Sequence, residues 1–143
     1  MHNSFYASGF LYNLKTQQIL LLQSEQKDDK DLKWTLLGGE GREGEQASDA
    51  FKRIVLEKLN INLKSKNIFP VYDYPQEKFN KINYVFYAEV KKTPKFGSQK
   101  NGTLSWVTFT ETTKLPFYTQ NKQDVIVGQR VINAKWRTDE GIV

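Results

Sequence analysis

The sequence predicts an α+β protein, an α/β arrangement in which a mixed β-sheet lies between helices. Strands and helices alternate in the order β-β-β-α-β-β-β-α, which calls for a helix on each side of one sheet. At 143 residues the chain fits a single domain, residues 1–143, and its 38% hydrophobic and 13% aromatic composition supplies a core. One stretch, residues 46–59, carries a clear helical period between two runs of strand-like segments.

The elements follow in chain order. Ser4–Tyr12 (SFYASGFLY) alternates and is rich in aromatics, and Gln18–Gln23 (QILLLQ) is a second, more apolar strand. The polar residues between them, Asn13–Gln17, suit a hairpin. Ser24–Lys33 is a charged loop without periodicity, and Trp34–Leu37 is a short strand that runs into a turn at Gly38-Gly39. From Gln46 to Leu59, the apolar residues Ala47, Ala50, Phe51, Ile54, Val55 and Leu59 recur at three- and four-residue spacing, and Asn60 is a suitable stop. Beyond it, Ile68–Tyr74, Ile82–Val90 and Leu104–Phe109 read as strands and Asp124–Trp136 as a C-terminal helix carrying Val125, Val131 and Ile132.

Composition narrows the chemistry. There is no cysteine, so disulfides and thiolate zinc sites are excluded, and the single histidine, His2, argues against histidine-driven catalysis. No apolar run approaches the roughly 18 residues of a membrane helix, and the N-terminus lacks the pattern of a signal peptide. The expectation is a soluble, cytoplasmic protein with no membrane partner. Its 21 basic against 16 acidic residues favour anionic ligands in general. The basic run Lys91–Lys95 (KKTPK) reads as a solvated loop, and without a reading helix or stacking platform it argues against nucleic acid.

One segment carries a motif. Gly39, then Glu45 after five residues, Arg53 after seven more, and then Val55, Glu57 and Ile61 resemble the Nudix box, G-x5-E-x7-R-E-U-x-E-E-x-G-U, where U is a bulky aliphatic. Trp34–Glu45 (WTLLGGEGREGE) is similar to the tryptophan, double glycine and Gly-Glu that precede it, and the resemblance covers most of the chain. It implies the Nudix α/β/α sandwich and hydrolysis of a nucleoside diphosphate linked to another group, with Mg²⁺ or Mn²⁺ as cofactor. Three carboxylates at i, i+3 and i+4 share one helical face and, with nearby carbonyls, make a hard oxygen site that suits such a cation.

Carried over residue by residue, those three positions hold Ile54, Glu57 and Lys58, so two acids are missing. The resemblance then implies Glu57, Arg53 and Glu45 as catalytic residues, Gly38, Gly39 and Trp34 as substrate-binding ones, and Glu57, Glu45 and Gly39 as what is left of a metal site. The residues alone leave other roles open: an Arg53–Glu57 pair one helical turn apart, Glu45 as an acceptor organising the loop, Trp34 as core or sheet edge, and Glu40 and Glu43 as replacement or merely solvated acids. Lys58 is read as a built-in cation among Glu57 and those loop acids, in place of metal. The functional expectation is therefore a Nudix hydrolase with weak or divergent metal-dependent activity. Its alternatives are an inactive Nudix fold that binds a nucleotide-type or other phosphorylated small molecule with no metal, and a protein-interaction scaffold. Oligomeric state is not legible in the sequence.

Overall fold

In the computed structural model, which describes residues 5–24, 33–76, 80–96 and 102–139, the sheet is organised around Phe5–Asn13 (β1). β1 runs parallel to Lys81–Val90 (β6) and pairs antiparallel with Leu37–Glu40 (β4) through Tyr6–Gly9. At its end it turns into Gln18–Ser24 (β2), which pairs in turn with Trp34–Thr35 (β3) and Gly102–Thr108 (β7). Ile68–Gln76 (β5) completes the seven-stranded mixed sheet beside β6.

A strand bordered on both sides and covered on both faces must be small or apolar throughout, and Ala7–Leu11 of β1 are all buried. Its odd residues Ala7 and Leu11 join Leu20, Phe86 and Ala88 against Ala47–Leu59 (α1), which contributes Ala50, Phe51, Ile54, Val55 and Leu59. Its even residue Phe10 joins Ile19, Leu21, Val85 and Tyr87 against Thr119–Asp139 (α3), which contributes Val125 and Ile132. The period of two along each strand thus feeds two cores, one under each helix. The sandwich expected from the element order is what the chain adopts.

Local chemistry sets the boundaries. The hairpin closes because the Asn13 side chain accepts from the backbone N–H groups of Lys15 and Thr16 at 2.8 and 3.0 Å, with Gln17 at φ 59°. α1 stops at Asn60, which takes a left-handed conformation (φ 56°) and donates its N–H to the Leu56 carbonyl.

Four expectations need correction. Trp34–Leu37 is not one strand: it divides at Leu36 into β3, which pairs with β2, and β4, which pairs with β1. Gly38 and Gly39 are not a turn but strand residues of β4. The strand read as Leu104–Phe109 ends at Thr108, where a capping box with Glu111 starts a four-residue helix, Phe109–Thr112 (α2). α3 begins five residues earlier than Asp124, because its first turn (TQNKQ) is wholly polar and carries no apolar period. The expected loop at Ser24–Lys33 lies mostly outside the described residues, as do residues 97–101 of the other charged loop and His2.

Phe51 is fully buried and stacks on Phe86 at a centroid distance of 5.8 Å. Phe51→Ala is expected to lower the unfolding free energy by about 3–5 kcal/mol in a denaturant titration. A loss under about 1 kcal/mol would show that the α1 face is assigned wrongly.

Candidate functional site

The loop between β4 and α1 is held by one arginine. Arg53, at the middle of α1, donates from Nε and Nη2 to the two carboxylate oxygens of Glu45 at 2.9 and 3.0 Å, a forked, charge-assisted pair. The same Nη2 donates to the Glu40 carbonyl at 2.9 Å, and Nη1 lies 3.4 Å from Glu57. Glu45 also accepts from the Arg42 backbone N–H at 3.0 Å, closing the turn from inside. These contacts push the Glu45 carboxyl below its ordinary range, chiefly through the Arg53 hydrogen bonds, and raise Arg53 further. Gly44, at φ 80°, supplies the positive dihedral that this turn needs.

The helical face carried over from the box has a different composition from the one its spacing suggests. Ile54 is buried and packs under β4, where a Cβ added to Gly39 would stand 3.1 Å from its terminal methyl. Glu57 is exposed and lies between Arg53 and Arg42, each 3.4 Å away. Lys58 folds back across the strand, and its ammonium donates to the Gly38 carbonyl at 2.7 Å. Lys58 is exposed as a residue, yet desolvation lowers its pKa, with the Glu57 charge opposing the shift. Of the acids expected around Lys58, the Glu57 charge acts on it, whereas Glu45 belongs to Arg53 and Glu40 is ion-paired with Lys81, and the hydrogen bond of Lys58 goes to a backbone carbonyl. Gly38 is needed for space, since a Cβ there would meet the Tyr6 ring at 2.7 Å.

The site residues read from the sequence therefore separate into two groups. Glu45, Arg53, Glu57, Gly38 and Gly39 converge on the α1 side of the sheet around β4. Trp34 does not join them: it packs into the core under α3, pairs with β2, and donates its backbone N–H to the Pro116 carbonyl.

On the α3 side the structure assembles a polar group that sequence reasoning missed. Asp124, fully buried on α3, accepts from the Tyr72 hydroxyl at 2.6 Å, from Gln120 Nε2 at 3.1 Å and from the Tyr74 hydroxyl at 3.3 Å. Tyr74 in turn accepts from Asn83, and Asn83 accepts from Ser8, so the chain of bonds links α3, β5, β6 and β1. Burial raises the Asp124 carboxyl and pushes Tyr74 up to about 12, with the Asp124 charge adding to the latter. The only sequence signal was an acid on the first apolar turn of the helix.

A family model described as "NUDIX domain" matches residues 4–128. Among solved structures, the chain is similar to the solution structure of the E. coli ORF135 protein, with TM-score 0.69, 17% identity, and 94% of each chain covered. It is also similar to the E. coli dihydroneopterin triphosphate pyrophosphohydrolase, with TM-score 0.68, 19% identity, and 90% of this chain and 95% of that one covered. A C. elegans Ap4A hydrolase binary complex gives TM-score 0.67 and 16% identity over 90% of this chain and 98% of that one. At these identities the likeness is one of fold. No curated protein matches the chain in sequence.

Arg53→Gln is expected to cost roughly 1.5–3 kcal/mol in urea denaturation, because it leaves the largely buried Glu45 carboxylate without its charged donor. Amide exchange should quicken at residues 41–46 while the C-terminal half of α1 keeps its protection. For Asp124 the sign is opposite to that of a salt-bridged acid. Its folded pKa is raised above the unfolded value near 3.9, so the folded state binds the proton more tightly. The stability of the wild type relative to Asp124→Asn should therefore rise as pH falls from about 7 toward 4, as measured by parallel denaturant titrations.

Proposed function

Starting from the fact that this chain belongs to the Nudix family, we propose that it is a member in which a lysine has taken over the ground of the hydrolytic metal ion, leaving a fold that binds a phosphorylated, nucleotide-type small molecule with little metal-dependent turnover. The observation that carries this reading is the 2.7 Å hydrogen bond from Lys58 to the Gly38 carbonyl. A hard divalent cation takes carboxylate and carbonyl oxygens. Here the carbonyl is occupied by an ammonium, one carboxylate position is the buried Ile54, and Glu57 and Glu45 are turned onto arginines. Among the described residues no three acids or histidines stand close enough together to hold a metal. The residues present do not fit Mg²⁺ or Mn²⁺. Two unit charges about 4 Å apart repel by about 4 kcal/mol at an effective dielectric of 20, and a divalent ion doubles that.

Ligand chemistry rests on different support. The pyrophosphohydrolase and Ap4A hydrolase among the similar structures are named for phosphorylated compounds. Lys58 brings a cation to a neutral backbone carbonyl of β4, and the net charge of +5 draws anions to the whole molecule. Weak hydrolysis and a pure scaffold role are the outcomes against which this reading is tested.

The test compares wild type with Lys58→Glu and with Ile54→Glu combined with Lys58→Glu. Wild type incubated with Ap4A and Mn²⁺ is expected to return the compound intact and to show no metal binding by calorimetry. Lys58→Glu frees the Gly38 carbonyl and should bring weak Mn²⁺ affinity, and the double variant should add turnover of Ap4A. Efficient Mg²⁺-dependent turnover by wild type, unchanged in both variants, would overturn the proposal. A wild type that binds no nucleotide at all in a melting-shift panel would favour the scaffold.

A further inference from the structure

A second site lies away from β4, at the far end of β1 and β6. A cleft of about 740 Å³ opens there between the segment that follows α1 and the residues after β6. Leu11, Leu14, Ile61, Leu63 and Val90 line it, and Leu11 and Leu63 are buried beneath it. Among the described residues the lining contains no aromatic ring, so they offer aliphatic contact and no stacking platform. Lys64, Lys66, Lys91 and Lys92 stand on the same lining, all exposed, and none makes an ion pair among the described residues. Among the described residues the one acid there, Glu89, is largely buried and paired with Lys135 at 3.6 Å, so it does not neutralise the four lysines.

From this we infer that the cleft binds a soluble phosphate monoester with an aliphatic body, its chain on the leucine floor and its dianionic head between the lysine pairs. Four cations on one lining, none ion-paired among the described residues, suit a dianion better than a monoanion, and lysine binds phosphate as a movable point charge. The volume lies within the range of small-molecule sites. This assignment is independent of the reading of the Lys58 site, from which it differs in residues and in ligand body.

The probe is octyl phosphate, titrated into the full chain and followed by the methyl NMR signals of Leu11, Leu63 and Val90. Saturable shifts of those methyls are expected, at concentrations where neither inorganic phosphate nor octanol moves them. Lys64→Glu combined with Lys92→Glu should weaken binding by about tenfold or more, whereas Lys114→Glu, on an exposed turn elsewhere, should leave it unchanged. Both variants are exposed substitutions, and thermal melting confirms that they fold. Equal binding by the charge-reversed variant would overturn the site, as would inorganic phosphate binding as tightly as octyl phosphate. No shift with octyl phosphate, but sedimentation with phosphatidic acid vesicles, would also overturn it and assign the lysines to a lipid surface.

Discussion

Burial of β1 on both faces is the constraint from which the rest of the molecule follows. The strand donates and accepts along both edges, to β6 on one side and to β4 and β2 on the other, so its side chains have nowhere to go but two interiors. Each interior needs a lid, and α1 and α3 are those lids. At Gly9 a Cβ would stand 2.9 Å from the Phe51 ring and 2.0 Å from the Phe86 carbonyl oxygen, so the strand approaches both its helix and its neighbour too closely for a side chain. The position of the box follows from this geometry. β4 joins the sheet only along Tyr6–Gly9, and α1 starts directly beyond it, which brings the Gly38 carbonyl within reach of the last turn of the helix.

Within that frame, charge is distributed so that each carboxylate near β4 has a cation of its own. Glu45 takes Arg53 in a fork, Glu57 lies between two arginines, and Glu40 meets Lys81. The Arg53–Glu45 pair is the most shielded of these, and buried forks contribute more to order than exposed pairs such as Glu57 with Arg42. A metal site needs the reverse arrangement, with several carboxylates held close together and their repulsion relieved only when the ion arrives. In this loop the carboxylates are instead paired with Arg53 at the middle of α1, and Lys58 of its last turn donates to the Gly38 carbonyl.

The two faces of the sheet have been put to different polar uses. The α1 face keeps its polar groups at the edge of the sheet, where they meet solvent. The α3 face takes a carboxylate into the interior and surrounds it with hydroxyl and amide donors, which is what keeps a buried acid tolerable. Beyond both, at the open ends of β1 and β6, lysines stand around a leucine floor, and Glu89, the acid among the described residues of that lining, is paired with Lys135.

Much of the fold was legible in residue order alone. The apolar spacing of residues 47–59 names the buried face of α1, Asn60 marks its end, and Glu45, Arg53 and Glu57 can be placed near each other from the helical repeat and box spacing. These are local properties, set by period, capping and separation along the chain. What the sequence could not supply were contacts that depend on distant backbone. The turn read at Gly38-Gly39 became a strand because β1 was there to pair with it, and the Lys58 ammonium found a hydrogen-bond acceptor in a carbonyl of that strand. The clearest case is β5. A simple alternation puts Tyr72 and Tyr74 on the same face as Ile68, under α1. A bulge between Pro70 and Tyr72 inserts one residue, reverses the parity, and carries both hydroxyls to Asp124 under α3. A single unpaired residue in a strand leaves no mark in composition or period, and only the partner strand decides where it falls.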